Sequence, residues 1–186
     1  MKYLIALCVF VSLLACKSKD ETLPPDSLYH VTTKWENQNG ESTQFKDYEG
    51  KVLVTSMIFT SCKTACPQLT IEMRNIHKRV GTENQDKVQY MLISIDPKTD
   101  KPQLMKAYLN DNKFDGKEWV FIRGSEAETR EIANIMAVKY QEISPMDFSH
   151  SNIISVYDQK GVLYHQKEGL HTNTDQTVKA VHELLN

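Results

Sequence analysis

Apolar residues in this chain fall into two kinds of run, and the two alternate. "KVLVTSMIFT" (51–60) and "KVQYMLISI" (87–95) are short, nearly unbroken and rich in Val and Ile, the pattern of buried strands. Between them Leu69, Met73, Ile76 and Val80 recur at the spacing of one helical face, which predicts a helix over 68–80. Strand, helix and strand form a right-handed crossover unit with parallel strands. Asp100, Lys101 and Pro102 resemble a helix start, with Asp100 as N-cap and Pro102 in the first turn, for a helix to about residue 110. "EWVFIRG" is a further short strand, and Ser125 with Glu128 forms a capping-box pattern for a helix to about residue 138. "SNIISVYDQKGVLYHQ" reads as a hairpin turning at "DQKG", and 174–185 as a closing amphipathic helix. A weak early strand is expected around 42–45.

This order, a crossover unit first and a hairpin plus helix last, defines an α/β class. It is the thioredoxin-like order: a central mixed sheet flanked by helices, with one helix and one strand inserted. The late hairpin demands antiparallel strands, which argues against a flavodoxin-like parallel sheet.

The N-terminus changes the picture, because it sets the compartment. Lys2 precedes an apolar stretch over 3–15 of about 13 residues, short of the roughly 20 a membrane span needs and matching a signal-peptide core. "LLAC" (13–16) resembles a bacterial lipobox. The expected organisation is a signal peptide over 1–15, a lipidated Cys16 with a polar tether over 16–28, and one folded domain over 29–186. An uncleaved short anchor is the other reading. Either way the body of the chain is expected outside the cytoplasm, membrane-anchored. Each buried lipid CH₂ adds about 0.8 kcal/mol to such anchoring.

Composition narrows the partners. The chain is 40% apolar, and its 22 basic and 24 acidic residues are interspersed, for a net charge of −2. It lacks the basic stripe that nucleic acid requires. Of the four cysteines, Cys8 lies in the leader and Cys16 at the lipobox, which leaves Cys62 and Cys66. A single local pair is no disulfide framework, and so small a ring adds little stability.

The pair stands in "FTSCKTACPQLT" (59–70), where the first strand gives way to the helix. Residues four apart on a helix share a face, with β-carbons about 5–6 Å apart, so the two sulfurs can act on one point. Orphan amides and the positive dipole end of the helix favour thiolate, and Lys63 pushes the same way. Three intervening residues, one more than the redox enzymes of this fold use, loosen disulfide geometry and leave room for an ion. Soft sulfur with imidazole suits copper, and also zinc. Among six histidines, His182 sits in the last helix, His30 at the tether, His77 several turns from the thiols, and His165 and His171 around the last strand. His150, in the "SPMDFSHSN" loop, occupies the place that a thioredoxin-like fold sets against the thiol motif.

Together, "FTSCKTACPQLT", "SIDPKTDKP" and "DFSHSNIISVYDQKG" resemble the Sco/SenC family, thioredoxin-like copper proteins associated with cytochrome c oxidase assembly. The likeness spans about 50–161 in order and spacing. It implies that Cys62, Cys66 and His150 bind one copper ion, as Cu(I) or Cu(II), for delivery to the dinuclear copper centre of the oxidase. Asp96 and Asp100 match the family's acidic loop, either as turn former and helix cap or as neighbours that tune the site. The family often has Pro after the first Cys. Here Lys63 takes that place while Pro67 is retained, which favours redox work. The alternative to a copper chaperone is a thiol–disulfide oxidoreductase that keeps oxidase or other extracytoplasmic cysteines reduced. Partners implied are the oxidase subunit carrying the copper centre, a copper donor or thioredoxin-like reductant, and the membrane. The bland alternative is a non-enzymatic interaction module with an ornamental disulfide.

Overall fold

A computed structural model describes residues 22–114, 116–144, 147–171 and 173–186. The expected signal peptide and Cys16 lie outside the described residues. Strands β1 (Trp35–Asn37), β2 (Ser42–Thr43), β3 (Val52–Ile58), β4 (Val88–Ser94), β5 (Trp119–Arg123), β8 (Ile153–Tyr157) and β9 (Leu163–Glu168) form one seven-stranded sheet. Its order is β2-β1-β5-β4-β3-β8-β9. A separate two-stranded sheet is the hairpin β6 (Tyr140–Ser144) and β7 (Asp147–His150). Among the described residues, four α-helices complete the fold: α1 (Ala65–Val80), α2 (Pro102–Asp111), α3 (Glu126–Ile135) and α4 (Asp175–Leu185).

β3, β4 and β5 run parallel at the centre, while β8 lies antiparallel to β3 and β9 to β8. The sheet is therefore mixed, as the late hairpin demands. All seven residues of β3 and of β4 are buried, which is why their apolar runs are nearly unbroken instead of alternating. α1 and α4 touch each other and both touch β3 and β8, and α2 lies along β5. The capping box predicted at Ser125 forms as expected, with Ser125 accepting from the Glu128 amide and Glu128 from the Ser125 amide.

Four local expectations are corrected. α1 begins at Ala65, three residues before the predicted start, so Cys66 lies inside the helix and Cys62 outside it. Asp100 does not cap α2: Lys101 holds the N-cap position with no side-chain cap bond, and Pro102 opens the helix. α3 stops at Ile135, and Ala137 turns out of it at a φ of 56°. Ser27 and Leu28, assigned by sequence to the end of the tether, are 5% and 1% exposed, and the Leu28 amide donates to the Gly161 carbonyl. Leu28 belongs to the core because the apolar Leu-Tyr pair forms a short 3-10 turn that packs as a unit.

Candidate metal centre

β3 delivers the chain to the site, and an acid holds it there. Beyond Ile58 the chain makes a turn, with the Cys62 amide donating to the Phe59 carbonyl. Asp100, fully buried, accepts from the Thr60 amide at 3.0 Å and the Thr60 hydroxyl at 2.5 Å through Oδ1, and from the Ser94 hydroxyl at 2.6 Å through Oδ2. Burial pushes its carboxyl above the ordinary value, and these hydrogen bonds oppose the rise. Of the two roles the sequence allows Asp100, helix cap or neighbour of the site, the cap is not formed, and the carboxylate instead anchors the turn before Cys62. Asp96 is the turn former: its Oδ1 and backbone carbonyl both accept from the Thr99 amide.

Thr64 holds the N-cap position of α1 and makes no side-chain cap bond. Cys62 does that work instead, since the Cys66 amide donates to Cys62 Sγ at 3.3 Å. The first turn of a helix has orphan N–H groups, and here one of them finds a sulfur. The Cys66 thiol hydrogen bond, the His150 ring and the amides of Cys66 and Thr64 together outweigh burial and hold the Cys62 thiol far below the ordinary range. The same hydrogen bond, then burial, pushes the Cys66 thiol up. Cys62 is half-buried and Cys66 is buried. An accessible thiolate thus stands in front of a buried thiol. Alkylation of Cys62 is expected to keep its rate as pH falls from about 9 to about 6, where an ordinary thiol slows about tenfold per unit. Rates measured across that range by mass spectrometry check this, and an ordinary titration would count against the geometry.

His150 comes from the hairpin. It ends β7 instead of lying in a loop, and it pairs with Tyr140 of β6. Its Nδ1 donates to the Ser151 carbonyl at 3.0 Å, which fixes the ring's orientation and turns Nε2 towards Cys66 Sγ at 3.4 Å. Phe148, two residues earlier on the same face of the strand, packs edge-on against Phe59, with centroids 5.2 Å apart. Phe59 also meets the His150 ring edge-on at 6.0 Å. The hairpin also borders a cleft of about 480 Å³, lined in part by Ile95, Pro97, Arg130, Val138, Tyr140 and Phe148.

Cys62 Sγ, Cys66 Sγ and a ring nitrogen of His150 lie within 4.8 Å of one another. The three donor atoms face one another, and a soft cation fits among them. The other sequence candidates do not join: Lys63 and Pro67 are exposed, and Asp96 and Asp100 act through the backbone and Thr60. The other histidines lie elsewhere: the His30 ring meets the Pro24 carbonyl, His77 meets Glu118, His165 meets Thr177, His171 follows β9 with its backbone amide donating to Glu72, and His182 sits in α4. Thr60, Ser94, Phe59 and Phe148, which position the site, carried no signal in the sequence beyond ordinary strand and turn composition.

A seven-stranded mixed sheet with a dithiol at the first strand–helix junction, joined by an imidazole from an appended hairpin, makes this a thioredoxin-like protein with a soft three-donor site. The sequence model of the SCO1/SenC family matches residues 28–186, and the chain belongs to that family. It is 31% identical over 134 residues to the SCO1 protein homolog of Bacillus subtilis, spanning 72% of this chain and 68% of that protein. Among solved structures, it resembles a SCO1/SenC family lipoprotein from Bacillus anthracis, with 26% identity and a TM-score of 0.76 over 83% of this chain and 93% of that one. Bradyrhizobium japonicum ScoI with copper bound shares the fold, with 22% identity and a TM-score of 0.66 over 81% of this chain and 96% of that one.

Proposed function

We propose that this protein is a membrane-tethered copper metallochaperone that binds one copper ion through Cys62, Cys66 and His150 and delivers it to the dinuclear copper centre of cytochrome c oxidase. The observation that carries this reading is the convergence of two sulfurs and one imidazole nitrogen within 4.8 Å, a donor set that suits copper. Family membership and the copper-bound relative support it. The tether rests on the leader pattern ending at Cys16. No helix among the described residues is long and apolar enough to cross a membrane. The partners that follow are the oxidase subunit carrying the copper centre and a copper donor or thioredoxin-like reductant.

Copper is cargo here, and the chain's own groups set how it is taken up. Cys62, charged and accessible, is the first sulfur an incoming ion meets. Cys66 must lose its proton before its sulfur can bind, and His150 Nε2 is already aimed at that sulfur. The two sulfurs therefore release about one proton on taking up Cu(I) near neutral pH, where two ordinary thiols would release about two.

The thiol asymmetry favours a second reading as well, a thiol–disulfide oxidoreductase. Cys62 attacks a target disulfide and one target sulfur leaves as a thiol; Cys66 then attacks the mixed disulfide and the second target thiol leaves. Two electrons pass to the target, and the Cys62–Cys66 pair ends as a disulfide. Titration of the reduced protein with Cu(I) and with Cu(II) separates the two. One copper per chain with a sulfur-to-copper charge-transfer band is expected. Reduced protein that takes up no copper, together with disulfide reduction that needs both cysteines and not His150, would leave the oxidoreductase alone.

A further inference from the structure

Helix α2 and the turn before it hold the thiol segment at both of its ends. At the near end Asp100 fixes Thr60, as described above. At the far end the contact runs through two hydroxyls. The Thr70 hydroxyl of α1 donates to the Cys66 carbonyl at 2.8 Å and lies 2.6 Å from the Tyr108 hydroxyl of α2. A carbonyl can only accept, so the single Thr70 proton points at Cys66, and Tyr108 must donate to Thr70. The result is a directed chain from the Tyr108 phenol through Thr70 to the backbone of the cysteine.

Neither hydroxyl is there for the helix. Thr is a poor helix former, and a hydroxyl bonded back to the carbonyl four residues earlier competes with the helix and tends to bend it. Thr70 is 1% exposed, and burial keeps the Tyr108 phenol protonated by pushing it well above its ordinary range. Val and Phe would fill the same space without burying two polar groups, whose burial costs free energy unless every bond is made. What the pair does provide is a fixed position for the one helical turn that carries Cys66.

We propose that Tyr108, acting through Thr70, is a positioning residue for the thiol site: it holds the Cys66 turn where Sγ meets His150 Nε2 and the Cys66 amide meets Cys62 Sγ. Without the hydroxyl chain the turn opens more often and the buried thiol loses its alignment. This rests on the copper reading only where copper is the probe.

Three variants test it. Tyr108→Phe keeps the ring, which packs edge-on against Phe121 at 5.8 Å. Thr70→Val keeps the shape and removes the hydroxyl, and Thr70→Ser keeps the hydroxyl. In metal-free protein carrying Cys62→Ser, Tyr108→Phe and Thr70→Val are expected to speed alkylation of Cys66 about fivefold, with Thr70→Ser close to the parent. In the full dithiol protein the same two variants are expected to bind copper about fivefold more weakly and to broaden the Cu(II) charge-transfer band, with Tm little changed. Parental alkylation rates in Tyr108→Phe and Thr70→Val overturn the proposal, and so does a Thr70→Ser variant that behaves like Thr70→Val. Faster alkylation matched by equally faster exchange of core β4 amides also overturns it, because the whole fold would then have loosened. If the parent binds no copper, the copper reading fails, and the alkylation rates still decide the role of Tyr108.

Discussion

Replacing His150 with Ala is expected to weaken copper binding by about a hundredfold or more, and to leave the Cys62–Cys66 pair able to exchange disulfides. Loss of groups that merely orient a metal ligand costs about 10–100-fold, so loss of a ligand lies at or beyond the top of that range. His150 Nε2 stands 3.4 Å from Cys66 Sγ and contributes the one nitrogen donor at the site. Its removal leaves two sulfurs, still held by α1 and the Asp100 clamp. Competition with a chelator of known affinity measures the loss. A variant with parental affinity would show that the imidazole is a bystander and that the donor set lies elsewhere.

The largest effect on stability is expected at a distance from the metal site, at Glu72 and Lys167. Lys167 Nζ lies 2.5 Å from Glu72 Oε2 and also donates to the Gly169 carbonyl, while Glu72 Oε1 accepts from the His171 amide. Both side chains are less than a tenth exposed. The pair ties α1, whose first turn holds Cys66, to β9 and the chain beyond it. Lys167→Met removes the cation and strands the carboxylate, at a cost of about 3–5 kcal/mol. For a domain of this size that lowers Tm by on the order of 10 °C. Adding Glu72→Leu removes the stranded charge and is expected to recover much of the loss. Calorimetry on the single and double variants gives both numbers. Additive losses would mean that the two charges do not depend on each other.

The central fold could be read from the chain because burial on both faces leaves a plain mark. β3 and β4 are written in Val, Ile, Leu and Met, and one apolar stripe gives α1. The hairpin β6–β7 has no such mark. "YQEIS" is mostly exposed and two-stranded, so neither alternation nor a continuous run develops, and His150 looked like a loop residue although it ends a strand. β1 was missed because three residues are too few for a period. Asp100 reads equally as a cap or as a neighbour of the site because a cap and a buried acceptor use the same side chain, and only the fold shows which donors arrive. Cys62, Cys66 and His150 were legible as a set through their motifs and order. Thr70 and Tyr108 were not, since a bond between hydroxyls on two helices, 38 residues apart in sequence, leaves no pattern along the chain.

Two of the three donors belong to the rigid body of the protein, and the third rides on an arm. β6 and β7 pair only with each other among the described residues, and a lone two-stranded ribbon has little stability of its own. The arm is held against the body by Phe148 and Phe59, and its Tyr140 and Phe148 also border the cleft. Swinging it away breaks no rung of the seven-stranded ladder. If copper is handed on from here as proposed, an ion held by the three donors would shed its nitrogen first and its sulfurs afterwards, an incoming ligand filling each gap, so that it need never pass through water bare.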